Sequence, residues 1–190
     1  MSTETFRLFI AVRIPKDRLV QLDQLVSPLR AKLTNARWTD VDTQHLTLKF
    51  LGNAPVDHVD AVIHTITMVA GGHSSAELSF TEMGAFPSRS RIRVLWMGVA
   101  DDAALSTRVA GDLERAFEPL GFPSEGRPYT PHLTLARFKL SVPLKSGFPS
   151  IDARAIAPFS VEELVLFRSH LSPKGPRYEV IDTCPVGLPR

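Results

Sequence analysis

The sequence predicts a mixed fold of strands and helices, built as two similar lobes around a cleft. Two observations predict it. The tetrapeptide His-Leu-Thr-Leu occurs at 45–48 and again at 132–135, 87 residues later in a chain of 190. Each copy also has a matching prelude. Arg7 opens an apolar strand 38 residues before His45, and Arg93 opens another 39 residues before His132. Each half reads strand, helix, motif strand, then a further connection and strand. This describes one domain formed by internal duplication, with approximate halves 1–92 and 93–190. Duplicated units commonly build one continuous structure between them, so the motif strands are expected near a pseudo-two-fold axis.

The elements follow in order. Residues 6–14, FRLFIAVRI, are β-branched and aromatic and stop at Pro15, as a buried first strand should. Over 16–33, Leu19, Leu22, Leu25, Val26, Leu29 and Leu33 recur at helical spacing, with Pro28 as a kink site. A polar stretch around Trp38 leads to the first motif strand, QHLTLKFLG, closed by Gly52. Val59, Val62, Ile63, Ile66 and Val69 mark a helix from Pro55 to about Ala70, stopped by Gly71-Gly72. AELSFTE (76–82) alternates as a strand, GAFPSRSR is a loop, and IRVLWMGV is an apolar strand. The second half begins with a helix over 101–121, with an Asp start and a Gly stop, followed by the loop 122–131 and the strand HLTLARFK. Residues 142–150 hold two prolines and are not read as a full helix. Residues 159–168 and the segment RYEVID near the end are the last strands.

Composition narrows the function. Hydrophobic residues make up 44% and charged residues 22%, ordinary values for a globular protein. The net charge of +2, from 22 Lys+Arg against 20 Asp+Glu, is too small to imply nucleic-acid binding by itself. The only cysteine is Cys184. One cysteine cannot close an internal disulfide, which fits a reducing compartment. The start MSTETFRLFIAV lacks the regions of a signal peptide, and no apolar run reaches membrane-spanning length. A cytoplasmic protein is expected.

The motifs carry the chemistry. On a strand, successive side chains face opposite ways. Leu46 and Leu48 therefore oppose His45 and Thr47, and Leu133 and Leu135 oppose His132 and Thr134. Bringing the polar faces together collects two imidazoles and two hydroxyls, enough for a general acid and a general base near neutral pH. Strict alternation puts Lys49 on the same face, as an anion-binding cation at the rim or as a solvated strand-end lysine. It turns Arg137 away, unless the strand bulges before it. Zinc on His45, His132 and a third ligand is conceivable, but no His-x-His, His-Glu-x-x-His or Cys pair is present. His58, His64 and His73 lie in or near the second helix without a supporting pattern, and His170 is read as a surface residue. No phosphate loop of the type G-x-x-x-x-G-K occurs. The tripeptide Phe-Pro-Ser, at 86–88, 122–124 and 148–150, is read as loop punctuation.

With both motifs placed, the chain resembles the 2H phosphoesterase superfamily. Within it, the chain is similar to the bacterial RNA 2′,3′-cyclic phosphodiesterases, also called 2′-5′ RNA ligases. The resemblance runs through RLFIAVRIP, HLTLKFLG, GAFPSRSRIRVLWMGV, YTPHLTLAR and LFRSHLSPKGPRYEV, in order along nearly the whole chain. It implies an α+β bilobal fold with two antiparallel sheets around a central cleft and helices outside. It implies hydrolysis of an RNA terminal 2′,3′-cyclic phosphate to a 2′-phosphate without metal or other cofactor, with 2′-5′ joining as the reverse type of reaction. By the same resemblance His45 is the proton donor and His132 the acceptor, and Thr47 and Thr134 complete the two His-x-Thr-x motifs. Arg137 helps hold phosphate and Phe9 lines the cleft, with Lys49 and Tyr178 as weaker candidates. The implied partner is an RNA or oligonucleotide end, handled by a monomer that does not use a membrane. Three alternatives stay open on the residues: a 2H enzyme for another cyclic-phosphate nucleotide or a 2′-5′ oligonucleotide, a non-catalytic RNA-end binding module, and a metal hydrolase.

Overall fold

The computed structural model describes residues 4–100, 103–142, 151, 153–173 and 175–187. The first half of the chain forms β1 (Thr5–Val12), α1 (Lys16–Lys32), β2 (Ala36–Trp38), β3 (Leu46–Pro55), α2 (Val59–Gly71) and β4 (Glu77–Ser88). The second half forms β5 (Arg91–Ala100), α3 (Leu105–Phe117), β6 (His132–Val142), β7 (Phe159–Ser160), β8 (Glu163–His170) and β9 (Arg177–Pro185). All strand pairs are antiparallel, in the order β7-β4-β5-β6-β3-β1-β8-β9, with β2 also on β6.

The motif strands β3 and β6 sit at the centre and touch at one register pair, Leu46 with Leu133. The sheet thus consists of two units, β3-β1-β8-β9 and β6-β5-β4-β7, which diverge from that point. These units are not the sequence halves 1–92 and 93–190. β4 follows β3 in the chain but pairs with β5. The final hairpin β8–β9 returns to pair with β1.

One face of the sheet carries the main core. Leu8, Ile10 and Val12 of β1, Leu46 and Leu48 of β3, and Leu133 and Leu135 of β6 are buried there. The helices supply the other side of this core through Leu19, Leu22 and Val26, through Val62, Ile66 and Ala70, and through Leu105, Val109, Leu113 and Phe117. Each set recurs at three- or four-residue spacing, so each helix turns one apolar stripe inward. The opposite face carries a smaller cluster of Phe9, Ala11, Val165 and Phe167, with Tyr178 against it.

Several boundaries differ from the sequence reading. α1 runs through Pro28. The expected loop GAFPSRSR is largely strand, because β4 continues to Ser88 opposite β5. The single strand expected over 159–168 is two, β7 and β8, and between them the Val161 amide donates to the Ala76 carbonyl at 3.0 Å. α3 begins at Leu105, after Ala104 in the left-handed region (φ 50°). The expected Asp start at 101–102 and residues 143–150 of the proline-containing segment lie outside the described residues. Among the described residues, no helix is long and apolar enough to cross a membrane.

Candidate active site

Both histidines are anchored in the same way. His45 Nδ1 lies 2.8 Å from the Thr43 carbonyl and His132 Nδ1 lies 2.7 Å from the Thr130 carbonyl. A carbonyl oxygen only accepts, so each Nδ1 carries the proton and donates. In each neutral ring, Nε2 is then left with its lone pair. The repeat is therefore Thr-x-His-Leu-Thr-Leu, and its first threonine sets the tautomer through its backbone. A further bond ties the two motif regions together, because the Tyr129 hydroxyl donates to the Thr47 carbonyl at 2.9 Å.

Aromatic rings back each imidazole. Phe9 is buried, lies 4.8 Å from the His45 ring, and stacks on Phe167 at 5.1 Å. Tyr178 meets His45 edge-on at 5.2 Å. On the other side Phe86 meets His132 edge-on at 5.0 Å, and Trp96 lies 6.0 Å away. Sequence reasoning missed Trp96, Phe86 and Phe167. A signal for Trp96 existed: it stands 36 residues before His132, as Phe9 stands 36 before His45. Phe86 belongs to the first Phe-Pro-Ser, which is strand and not loop punctuation. Gly84, paired with Trp96, makes room for the indole, since a Cβ there would lie 2.0 Å from Cζ2.

Both motif strands break their alternation at the same place. In β3 the register slips between Thr47 and Lys49, and in β6 between Thr134 and Ala136. One extra residue in a strand reverses the side chains that follow. On β6, Ala136 turns into the core and Arg137 to the exposed side, the face of His132 and Thr134. On β3, Lys49 turns into the core and Phe50 comes out, 5.7 Å from Phe9. Lys49 is therefore not at the cleft rim, where strict alternation placed it. It is 1% exposed, with Nζ 2.7 Å from Glu114 Oε2 on α3 and 3.3 Å from the Pro123 carbonyl.

The electrostatics follow from this placement. Burial holds the His45 pKa down to about 4, and the charges of Arg137 and His132 act in the same direction, against the Thr43 hydrogen bond. His132 is lowered by burial and by Arg137. The Arg137 guanidinium thus lies close enough to act on both imidazoles. Tyr178 is raised by burial, against the opposing charges of Arg137 and Arg7. Among the described residues, no group of three His, Cys, Asp or Glu side chains is placed to hold a metal ion. His73 instead bonds Asp112, and His170 bonds Glu179.

The family model described as "2′-5′ RNA ligase superfamily" matches residues 14–173. A Geobacillus stearothermophilus protein named RNA 2′,3′-cyclic phosphodiesterase is 31% identical over 180 residues, covering 94% of this chain and 56% of its own. This chain thus spans little more than half of that relative. A Methanocaldococcus jannaschii protein of the same name is 26% identical, over 92% of this chain and 98% of its own. The crystal structure of a Thermus thermophilus protein superposes with TM-score 0.78 at 28% identity, over 95% of this chain and 97% of that one. Escherichia coli LigT complexed with 3′-AMP shares the fold, with TM-score 0.76 at 24% identity over 96% of this chain and 99% of that one. The paired His-x-Thr-x strands, the cleft face they share and the family match over most of the chain lead to one assignment: this protein belongs to the 2′-5′ RNA ligase superfamily.

Proposed function

We propose that the protein hydrolyses the terminal 2′,3′-cyclic phosphate of RNA to a 2′-phosphate, with His45 as general acid and His132 as general base. The observation that carries this is the matched pair of imidazoles. Each has Nδ1 fixed to a backbone carbonyl two residues earlier, which leaves Nε2 for chemistry. The relatives named RNA 2′,3′-cyclic phosphodiesterase support the substrate class.

In this reaction a water oxygen attacks phosphorus and the P–O3′ bond breaks. His132 Nε2 takes the water's proton, and protonated His45 gives a proton from Nε2 to O3′. Each such transfer is typically worth about 10²–10⁴-fold in rate. Thr47 and Thr134 hydroxyls donate to the non-bridging oxygens, and the Arg137 fork adds charge-assisted contacts as negative charge builds there. Without a bound phosphate His45 is neutral at pH 7, because its pKa is about 4. Its acid role therefore depends on the bound phosphate, whose negative charge raises both imidazoles. The substrate thus loads its own proton donor, and the pH profile is bell-shaped with pKa values that belong to the pair.

No step uses a metal. The test is incubation of a cyclic-phosphate-ended RNA in excess EDTA, followed by product analysis. Turnover to the 2′-phosphate is expected. Activity lost in EDTA and restored by zinc overturns the metal-free mechanism, and a 3′-phosphate product reverses the leaving-group assignment.

A further inference from the structure

We propose that Arg37, beside Arg137, forms a second anion site in the cleft for the phosphate one nucleotide upstream of the reacting cyclic phosphate. This rests on the phosphodiesterase reading and deepens it. The substrate class becomes an oligonucleotide end rather than a mononucleotide.

Three observations place Arg37 there. On β2, Ala36 and Trp38 pack against the main core, so alternation turns Arg37 to the opposite face. The register sets Arg37 directly across from Arg137, with Ala36 across from Phe138 and Trp38 across from Ala136. Phe138 and Ala136 are buried and Arg137 is exposed, so the two arginines share one face. Finally, Arg37 reaches toward the connection between β8 and β9. A Cβ at Gly175 (φ +136°) would lie 2.6 Å from Arg37 Nη2. There the Gly175 amide donates to the Ser172 carbonyl at 3.0 Å and the Ser172 hydroxyl donates to the Gly175 carbonyl at 2.6 Å. Arg37 thus extends from one sheet unit to the terminal hairpin of the other.

Like charges directly opposite on neighbouring strands repel, with Cβ atoms only about 5 Å apart. Here no carboxylate among the described residues pairs with either arginine. A bound polyanion supplies the missing counter-charge. β2 lies along the edge of β6 that β3 leaves free after the single Leu46–Leu133 contact. Arg37 is therefore one strand further from the scissile phosphate than Arg137. A mononucleotide cyclic phosphate has one phosphate and leaves this second fork empty. A dinucleotide with the same end fills it, through the two parallel hydrogen bonds a guanidinium gives to phosphate.

The experiment compares wild type with Arg37→Ala on adenosine 2′,3′-cyclic phosphate and on an adenylate dinucleotide ending in the same group. The loss in kcat/KM on the dinucleotide should exceed the loss on the mononucleotide by about tenfold and lie mostly in KM, because the contact is kept through the reaction. The log–log salt slope for the dinucleotide should become shallower by about 0.7, the value for one phosphate contact on a single strand. Arg37→Lys should retain part of the preference. Equal losses on the two probes, or none on either, overturn the proposal. If wild type turns over neither probe, the phosphodiesterase reading fails instead. Calorimetric affinities for adenosine 2′-phosphate and for the dinucleotide ending in 2′-phosphate then test Arg37 alone. A variant that weakens both equally, or neither, rules the second site out.

Discussion

At the scale of the residue, the proposed mechanism has the two histidines act on one transition state. Burial favours the neutral form of both imidazoles, and Phe9 and Phe86 restrict how each ring can lie. His45→Ala and His132→Ala should each remove most activity, at least about a hundredfold for the lost proton transfer. The double variant should be little worse than either single one, because the residues work as a unit. Steady-state kinetics with circular dichroism checks this, and near-normal turnover in either folded single variant would refute the pair. The histidines and threonines were legible because the repeat announces them twice. Trp96, Phe86 and Phe167 were not, because an apolar residue in a strand reads as core until its facing strand is known. In this chain the second face of β1, β5 and β8 is lined by rings.

At the scale of the element, the matching bulges decide which residues enter the cleft. Alternation counted from His132 points Arg137 outward, and alternation counted from His45 points Lys49 inward. The same slip reverses both. The periodicity of a strand shows its faces, but an inserted residue leaves no mark in composition. The strands and helices were therefore readable while these side-chain directions were not. The two positions should respond in opposite ways. Arg137→Lys keeps the charge but loses the fork, so activity should fall about ten- to a hundredfold with stability unchanged, for a contact of about 1.5–3 kcal/mol. Lys49→Met should act on stability. Removing one partner of a buried ion pair costs about 3–5 kcal/mol, nearer the low end here because the Glu114 side chain is 24% exposed. Urea unfolding should show that loss, while kcat and KM of the folded fraction stay near wild type. A reversed pattern would mean that Lys49, not Arg137, serves the phosphate.

At the scale of the whole molecule, the cleft makes stability depend on pH. His45 has a lower pKa folded, about 4, than its ordinary 6.5 when unfolded. Between those values the unfolded chain binds more protons, so stability falls as pH drops through this window. His132 contributes in the same direction. Denaturant unfolding at pH 7 and pH 4.5 should show the decrease, and His45→Gln should make it shallower. An unchanged pH dependence in His45→Gln would show that this imidazole is not held neutral by the fold. The central place of the two motif strands follows the repeated motif in the sequence. The exchange of β4 and of the β8–β9 hairpin between units was not, because local patterning shows that a strand exists and not which strand it will pair with.

That exchange has a consequence for how the chain comes together during synthesis. β1 (Thr5–Val12) is synthesised long before one of its two neighbours, β8 (Glu163–His170). The first unit stays open along that edge until β8 has been made, and such distant pairings fold slowly. A fragment of residues 1–100 holds a complete His-x-Thr-x motif but lacks β6, β8 and β9. It should be unfolded or aggregated by circular dichroism and gel filtration, and mixing it with residues 101–190 should restore structure that neither piece has alone. A folded, soluble 1–100 fragment would show that the first half stands without the hairpin.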